Sequence, residues 1–356
     1  MKSMTGGALT ERQGRCHECI AVLRLVKKPA RLQRSLGAAF ALLVALGFGA
    51  VCAGDAGAQQ PTPGRSRASG PARPDAAPLE PGAGAPAEVP LLRARLWNDG
   101  KAEISSYATV ERRYGILRKG TATLIVVSEP FDPRSLLKVE PGQKPPAVLP
   151  VIKLNTIVEV RTGVYTYHQM ASVFLRRSDA RVVKLTVGSQ EWCGVTAKRL
   201  EVRGHHKAQL LADSYFGNEG NRDFSLNFDS RAVLGDALPL WLRTLALDKQ
   251  GVRKLKVLDE QLSNRASKPT WHEAEIRVAG KRWLNVPAGR YRAVEVSVTR
   301  ASRRDVFWLD EHSPHLLVRW ERSDGGRYDL RWSKRAAYWR MNRPQDVGSL
   351  GGRFSK

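Results

Sequence analysis

Five consecutive residues, Gln190-Glu191-Trp192-Cys193-Gly194, place an amide, a carboxylate, an indole and a thiol within the length of one turn. Cys193 beside Glu191 could serve as the nucleophile of a hydrolase or transferase, provided that a histidine, a cation or a helix N-terminus lowers the pKa of the thiol. His168, His205, His206 and His272 are the candidates for that partner, and none stands at a spacing known from a cysteine enzyme. The contrasting expectation is a small buried cysteine on a strand. Trp192 and Cys193 then face opposite sides, the indole enters the core, and Trp192→Ala costs about 3–5 kcal/mol.

Other constellations carry less. Cys16-His17-Glu18-Cys19 offers three zinc ligands with no second pair nearby, and Ile20 stands where haem attachment needs a histidine. Asn218, Glu219, Asn221 and Asp223 alternate oxygen donors, but not in the order of a calcium loop. His312 and His315 flank Pro314 without a third ligand, and His272-Glu273 lacks the second histidine of a zinc protease. The chain has no G-x-S-x-G and no phosphate-binding G-x-x-x-x-G-K-[ST]. This reading assigns no metal and no cofactor.

The elements that must position these residues are mostly strands. Apolar and polar residues alternate with period two over Gly120–Ser128, 151–161, 165–176, 182–187 and 207–216, and Val182–Val202 forms a hairpin around the Glu191-Trp192-Cys193 turn. Asp132–Pro150 holds five prolines and is expected to be a loop. In 280–298, Val294, Val296 and Val298 face one way and Ala293, Glu295 and Ser297 the other; Leu316, Val318 and Trp320, then Tyr328, Leu330 and Trp332, alternate around a Ser323-Asp324-Gly325-Gly326 turn. One helix interrupts the strands: Asp236 is a plausible N-cap for Ala237–Leu247, whose apolar residues lie on nearly every side. The expected fold is mainly β, a single antiparallel curved sheet or half-open β-barrel wrapped around that helix.

The chain before the strands reads differently. Arg24, Lys27, Lys28, Arg31 and Arg34 precede an uncharged apolar run, about 35–54, followed by Ala56-Gly57-Ala58. This order is that of an export signal, either cleaved after Ala58 or kept as an inner-membrane anchor. Residues 59–90 form a Pro/Gly/Ala-rich linker without apolar periodicity. The domain expectation is a 1–58 leader, the 59–90 linker, a β-rich domain over 91–343 and a flexible tail over 344–356. With 42% hydrophobic residues and nine tryptophans the chain can build a core, which excludes global disorder. From Leu91 onward it carries 47 Lys+Arg against 28 Asp+Glu, a net +19, spread over pairs such as Arg112-Arg113 and Arg303-Arg304. Such an excess attracts polyanions. With export, it points to anionic membrane surfaces, with no specific nucleic-acid partner.

Arg113-Tyr114-Gly115 with Arg118-Lys119-Gly120, Lys153-Leu154-Asn155, 162–167 (TGVYTY), 189–194 and Ser214-Tyr215-Phe216 resemble a family of uncharacterised bacterial envelope proteins, some of which carry a septum-formation-inhibitor label. Pro287-Ala288-Gly289, Trp308-Leu309-Asp310 and Trp320-Glu321 are similar to a periplasmic domain of unknown function whose fold resembles the Lol-type lipoprotein carriers. The resemblance implies an exported, periplasmic protein with a half-open barrel over a helix.

Two functions follow. The first is a non-catalytic periplasmic binding or carrier protein for an apolar or amphipathic envelope component such as a lipid. Gln190, Trp192, Tyr165 and Tyr167 would contact this ligand, and Leu240, Trp241, Leu242 and Leu245 would line an apolar groove beside the helix. The second is an envelope hydrolase or transferase using Cys193 and Glu191.

Overall fold

The computed structural model describes residues 89–204, 206–229 and 232–350, which belong to one compact unit. The leader with its Cys16–Cys19 cluster, residues 59–88 of the expected linker and His205 lie outside the described residues, whereas Val89 at the linker's end packs into the core and Pro90 opens a helical turn.

Sixteen strands in the described residues form one sheet. In chain order they are β1 (Ala102–Arg113), β2 (Ile116–Asp132), β3 (Leu137–Lys138), β4 (Leu149–Arg161), β5 (Thr166–Arg176), β6 (Val182–Glu191), β7 (Gly194–Arg203) and β8 (Lys207–Ser214). β9 (Arg222–Asn227), β10 (Val233–Leu234), β11 (Gly251–Leu258), β12 (Trp271–Val286), β13 (Gly289–Arg300), β14 (Arg303–Asp310), β15 (Leu317–Glu321) and β16 (Arg327–Ala336) follow. Neighbours pair antiparallel except β10 with β11, and the spatial order is β10 to β16, then β1, β2, β4 to β9, with β3 beside β2. The first and last long strands therefore meet in mid-sheet, Ala102 opposite Ala336, while the edges β9 and β10 are consecutive in the chain.

One face of this sheet is concave and filled. Tyr107, Leu154, Val173, Leu185, Leu200, Leu210, Ile276, Val296, Phe307 and Leu330, each from a different strand, converge in one core with Leu238, Leu240 and Leu242. These leucines belong to a plug of three short helical pieces, a 3-10 turn (Gly235–Ala237), a helical turn (Leu238–Trp241) and a second 3-10 turn (Leu242–Thr244). Its apolar residues lie on nearly every side and are covered on nearly every side, with only Trp241 and Thr244 partly exposed. It is shorter than the expected 237–247 helix, because Leu245 turns to an extended backbone. Arg243 anchors its far end, donating to both carboxylate oxygens of the buried Glu103 on β1 at 2.8 and 2.9 Å and to the Pro314 carbonyl at 2.8 Å.

The valines of β13 alternate as expected: Val294, Val296 and Val298 enter the core and Ala293 the opposite face. Two bulges break the alternation expected of the last hairpin. Between β14 and β15 the register shifts, so Leu317 and Trp320 both enter the core while Val318 packs outside with Trp308. Between β1 and β16 a second shift sends Trp332 to the outer face, away from Tyr328 and Leu330. The extra residue of a bulge reverses the facing of everything after it. Leu350 packs with Trp332, Tyr338, Ile104 and Ile125 on that outer face, so part of the expected tail is ordered there.

Candidate functional site at the barrel mouth

An up-and-down meander brings every second turn to the same end of the sheet. Tyr114-Gly115 (β1–β2), Thr162–Tyr165 (β4–β5), Trp192-Cys193 (β6–β7) and Tyr215 after β8 therefore stand side by side at one mouth. Tyr114 adopts φ 53° and Gly115 φ 76°, the left-handed pair of a two-residue hairpin turn. The Tyr114 hydroxyl lies 2.9 Å from that of Tyr165 and 2.7 Å from that of Tyr167. The Tyr165 ring sits 5.8 Å from Tyr167 and 6.1 Å from Trp192.

This aromatic rim continues inward through Arg113. Its guanidinium lies over the Tyr167 ring at 5.4 Å and donates to the Gln169 side-chain carbonyl; Gln169 in turn donates to Ser189 Oγ at 2.9 Å. Burial holds the Tyr167 phenol above its ordinary ionisation range, so it stays a hydrogen-bond donor. Behind the rim lies a cavity of about 80 Å³ below the start of the plug. β1 contributes Glu111, Arg112 and Arg113 to its wall, β4 and β5 contribute Thr156 and Gln169, and the plug contributes Asp236. Glu260, Arg322 and Tyr328 close the opposite side.

The charges in this wall are of two kinds. Glu260 is largely enclosed, and that desolvation works to raise its pKa, but Arg322 and Arg300 outweigh it and hold the carboxyl at about 2. Burial likewise works against the charge of Arg322, and Glu260 and Glu111 outweigh it. Arg112 donates to the backbone carbonyls of Asp324 and Gly115, both at 2.7 Å, and Arg113 donates to an amide, so among the described residues neither guanidinium meets a carboxylate. The buried Glu111 carries a carboxylate oxygen, Oε1, that has no hydrogen-bond partner among the described residues. The wall thus offers two cations near the opening and one carboxylate oxygen further in.

The residues singled out from sequence distribute unevenly around this mouth. Tyr165, Tyr167 and Trp192 meet there. Gln190 lies exposed on the outer face of β6, the opposite side from Glu191. Leu240 and Leu242 are fully buried, and Leu245 and the partly buried Trp241 also pack into the core. The plug fills the concave face with these side chains, so they serve as core packing. The expectation of a core Trp192 is overturned: the indole is 75% exposed at the turn, because β6 ends at Glu191 and β7 begins at Gly194, leaving Trp192 and Cys193 outside both strands. The large stability loss expected for Trp192→Ala falls with it. Cys193 is exposed as well, not a buried hydrophobe. Glu191 turns its carboxylate onto the Cys193 backbone N–H at 2.8 Å, which closes the turn. His168 lies 3.2 Å from Glu159 and His272 2.9 Å from Asp259.

The other oxygen and nitrogen clusters are engaged within the fold. Glu219 accepts from Ala266 N at 2.8 Å, Arg265 at 3.1 Å and Ser214 at 3.2 Å, and Asp223 accepts from Gln209. His312 and His315 both turn to Asp310. Sequence reasoning missed Arg113, Gln169, Tyr114 and Glu111. Their strand alternation placed Glu111, Arg113 and Gln169 on inward-facing positions, a signal that could have found them.

The fold defines a β-barrel-like protein, one large curved sheet around a short helical plug. Among solved structures it is similar to the crystal structure of a β-barrel-like protein of a domain of unknown function, DUF1849, from Brucella abortus, at 8% identity and a TM-score of 0.43, over 66% of this chain and 98% of that one. No protein-family model and no curated protein matches the sequence.

Proposed function

We infer that the chain is a non-catalytic binding protein of the bacterial periplasm that takes an amphipathic envelope molecule at the barrel mouth. The observation that carries this reading is the continuity of the aromatic rim with a polar cavity through Arg113 and Gln169. A cavity of about 80 Å³ admits several waters or one small polar group, not an acyl chain. The head group therefore enters, and the apolar part rests on Tyr114, Tyr165 and Trp192. Arg112 and Arg113 suit an anionic group such as a phosphate, and Glu111 Oε1 suits an amine or hydroxyl beyond it. The basic leader, apolar run and Ala56-Gly57-Ala58 support export to the periplasm.

Native mass spectrometry of the full chain purified from envelope extracts tests this. The expected result is a bound molecule of lipid-like mass, released by collision and lost in Arg113→Ala and in Glu111→Gln. A ligand-free protein, or one whose ligand survives both substitutions, would overturn it.

A further inference from the structure

The tips of the mouth carry a second feature, separate from the cavity. Val164, Trp192, Val195 and Tyr215 lie outside the cavity wall and, with Tyr114, are between 53% and 81% exposed. Ile116 and Leu117, next to Tyr114, are exposed as well, one on each face of β2. The surface is continuous from turn to turn. Tyr114 touches Tyr165 through their hydroxyls, Tyr165 lies against Trp192, and the Tyr215 ring covers Gly194 so closely that a Cβ there would come 2.4 Å from Tyr215 Cγ. Four neighbouring turns thus present one apolar and aromatic edge to water, which a soluble surface rarely does without a partner.

Charge says which partner. Arg118, Lys119 and Arg161 flank this edge, and none forms an ion pair with a carboxylate among the described residues; Glu159 and Asp213 are exposed acids nearby. Tryptophan and tyrosine, apolar at one end and polar at the other, favour the boundary between acyl chains and head groups. Separate protruding turns, each with one or two large apolar side chains, suit a fluid surface that closes around them, whereas a protein partner would need matching sockets. We propose that these hairpin tips dock the protein onto a bilayer rich in anionic lipid, with Trp192, Val164 and Tyr215 inserted at the boundary and the basic residues against the head groups.

The test uses the full chain, whose apolar run at 35–54 contains no tryptophan, so tryptophan fluorescence reports on the folded part. Vesicles of brominated phosphatidylcholine containing phosphatidylglycerol should quench the wild type more than Trp192→Phe, and high salt should reduce the difference. Val164→Ser with Tyr215→Ser should weaken vesicle binding by roughly tenfold, the worth of large apolar side chains withdrawn from water. Their far-UV spectra should match the wild type, since both residues are exposed. Equal quenching of wild type and Trp192→Phe would overturn the proposal and assign attachment to the apolar run. So would equal binding to vesicles of phosphatidylcholine alone, or a dimer in light scattering that the two serines abolish. The cavity variants Arg113→Ala and Glu111→Gln leave this binding unchanged, which separates the two readings.

Discussion

Asp236 stands where a helix N-cap belongs, yet its carboxylate accepts the backbone N–H groups of Gln261 and Leu262 at 2.8 and 3.0 Å. Residues 259–266 thereby form a strap that crosses from β11 to β7, where Lys198 donates to the Gln261 carbonyl at 2.7 Å. Burial pushes the Asp236 carboxyl up to about 6 from 3.8, and burial pulls the Lys198 amine down to about 8. A folded pKa above the unfolded one means that the native state binds the proton more tightly. The stabilisation is complete below the unfolded value and is lost as pH rises through about 6. A shift of this size is worth up to about 3 kcal/mol, to order of magnitude. Asp236→Asn cannot titrate and keeps one acceptor oxygen. In denaturant melts, the stability difference between wild type and Asp236→Asn should therefore shift against the wild type from about pH 4 to about pH 7. A difference constant over that range would count against the burial argument.

At the scale of elements, two glycines separate backbone crowding from mere lack of a side chain. Gly120 of β2 lies opposite Thr109 of β1 and Val160 of β4, and a Cβ there would come 2.4 Å from the Glu159 carbonyl and 2.9 Å from Val160 Cγ2. The Glu159 carbonyl and the Val160 methyl occupy the space that a side chain at 120 would need. Gly188 of β6 has nothing within 4 Å of its Cβ position and no positive φ. Gly120→Ala should cost about 1–3 kcal/mol or more as an overpacked site. Gly188→Ala should be neutral or stabilise by about 0.4–1 kcal/mol through the unfolded chain. Thermal melts of the two single variants compare them directly.

For the whole molecule, the meeting of β1 and β16 decides what can be removed. β16 sits between β15 and β1 in mid-sheet and supplies Tyr328 and Leu330 to the core. A chain ended after Gly326 splits the sheet into two open halves, and it should lose its cooperative unfolding transition and aggregate. A chain ended after Ala336 keeps every strand and uncovers only the outer cluster of Ile104 and Ile125, so it should unfold cooperatively at lower temperature. Circular dichroism of both truncations checks this.

Period-two alternation along the chain determined that this is a β-protein around an apolar helical segment, because facing and burial are written locally into strands and into an all-apolar turn. The Tyr165-Tyr167 pair and the Trp192 turn were legible as chemistry for the same reason. Tertiary structure alone decided that the two halves of the sheet join in its middle, with β1 pairing to β16 across more than two hundred residues, which sets Arg322 and Tyr328 across the cavity from Glu111. Two bulges reversed the facing of Val318 and Trp332, and a bulge leaves no mark on composition. The place of Trp192 was decided by the hairpin ending one residue before it, which moved the indole from core to water. The plug's leucines, read as the wall of a groove, became the core itself once the strands closed around them: the space they would have lined is the space they occupy.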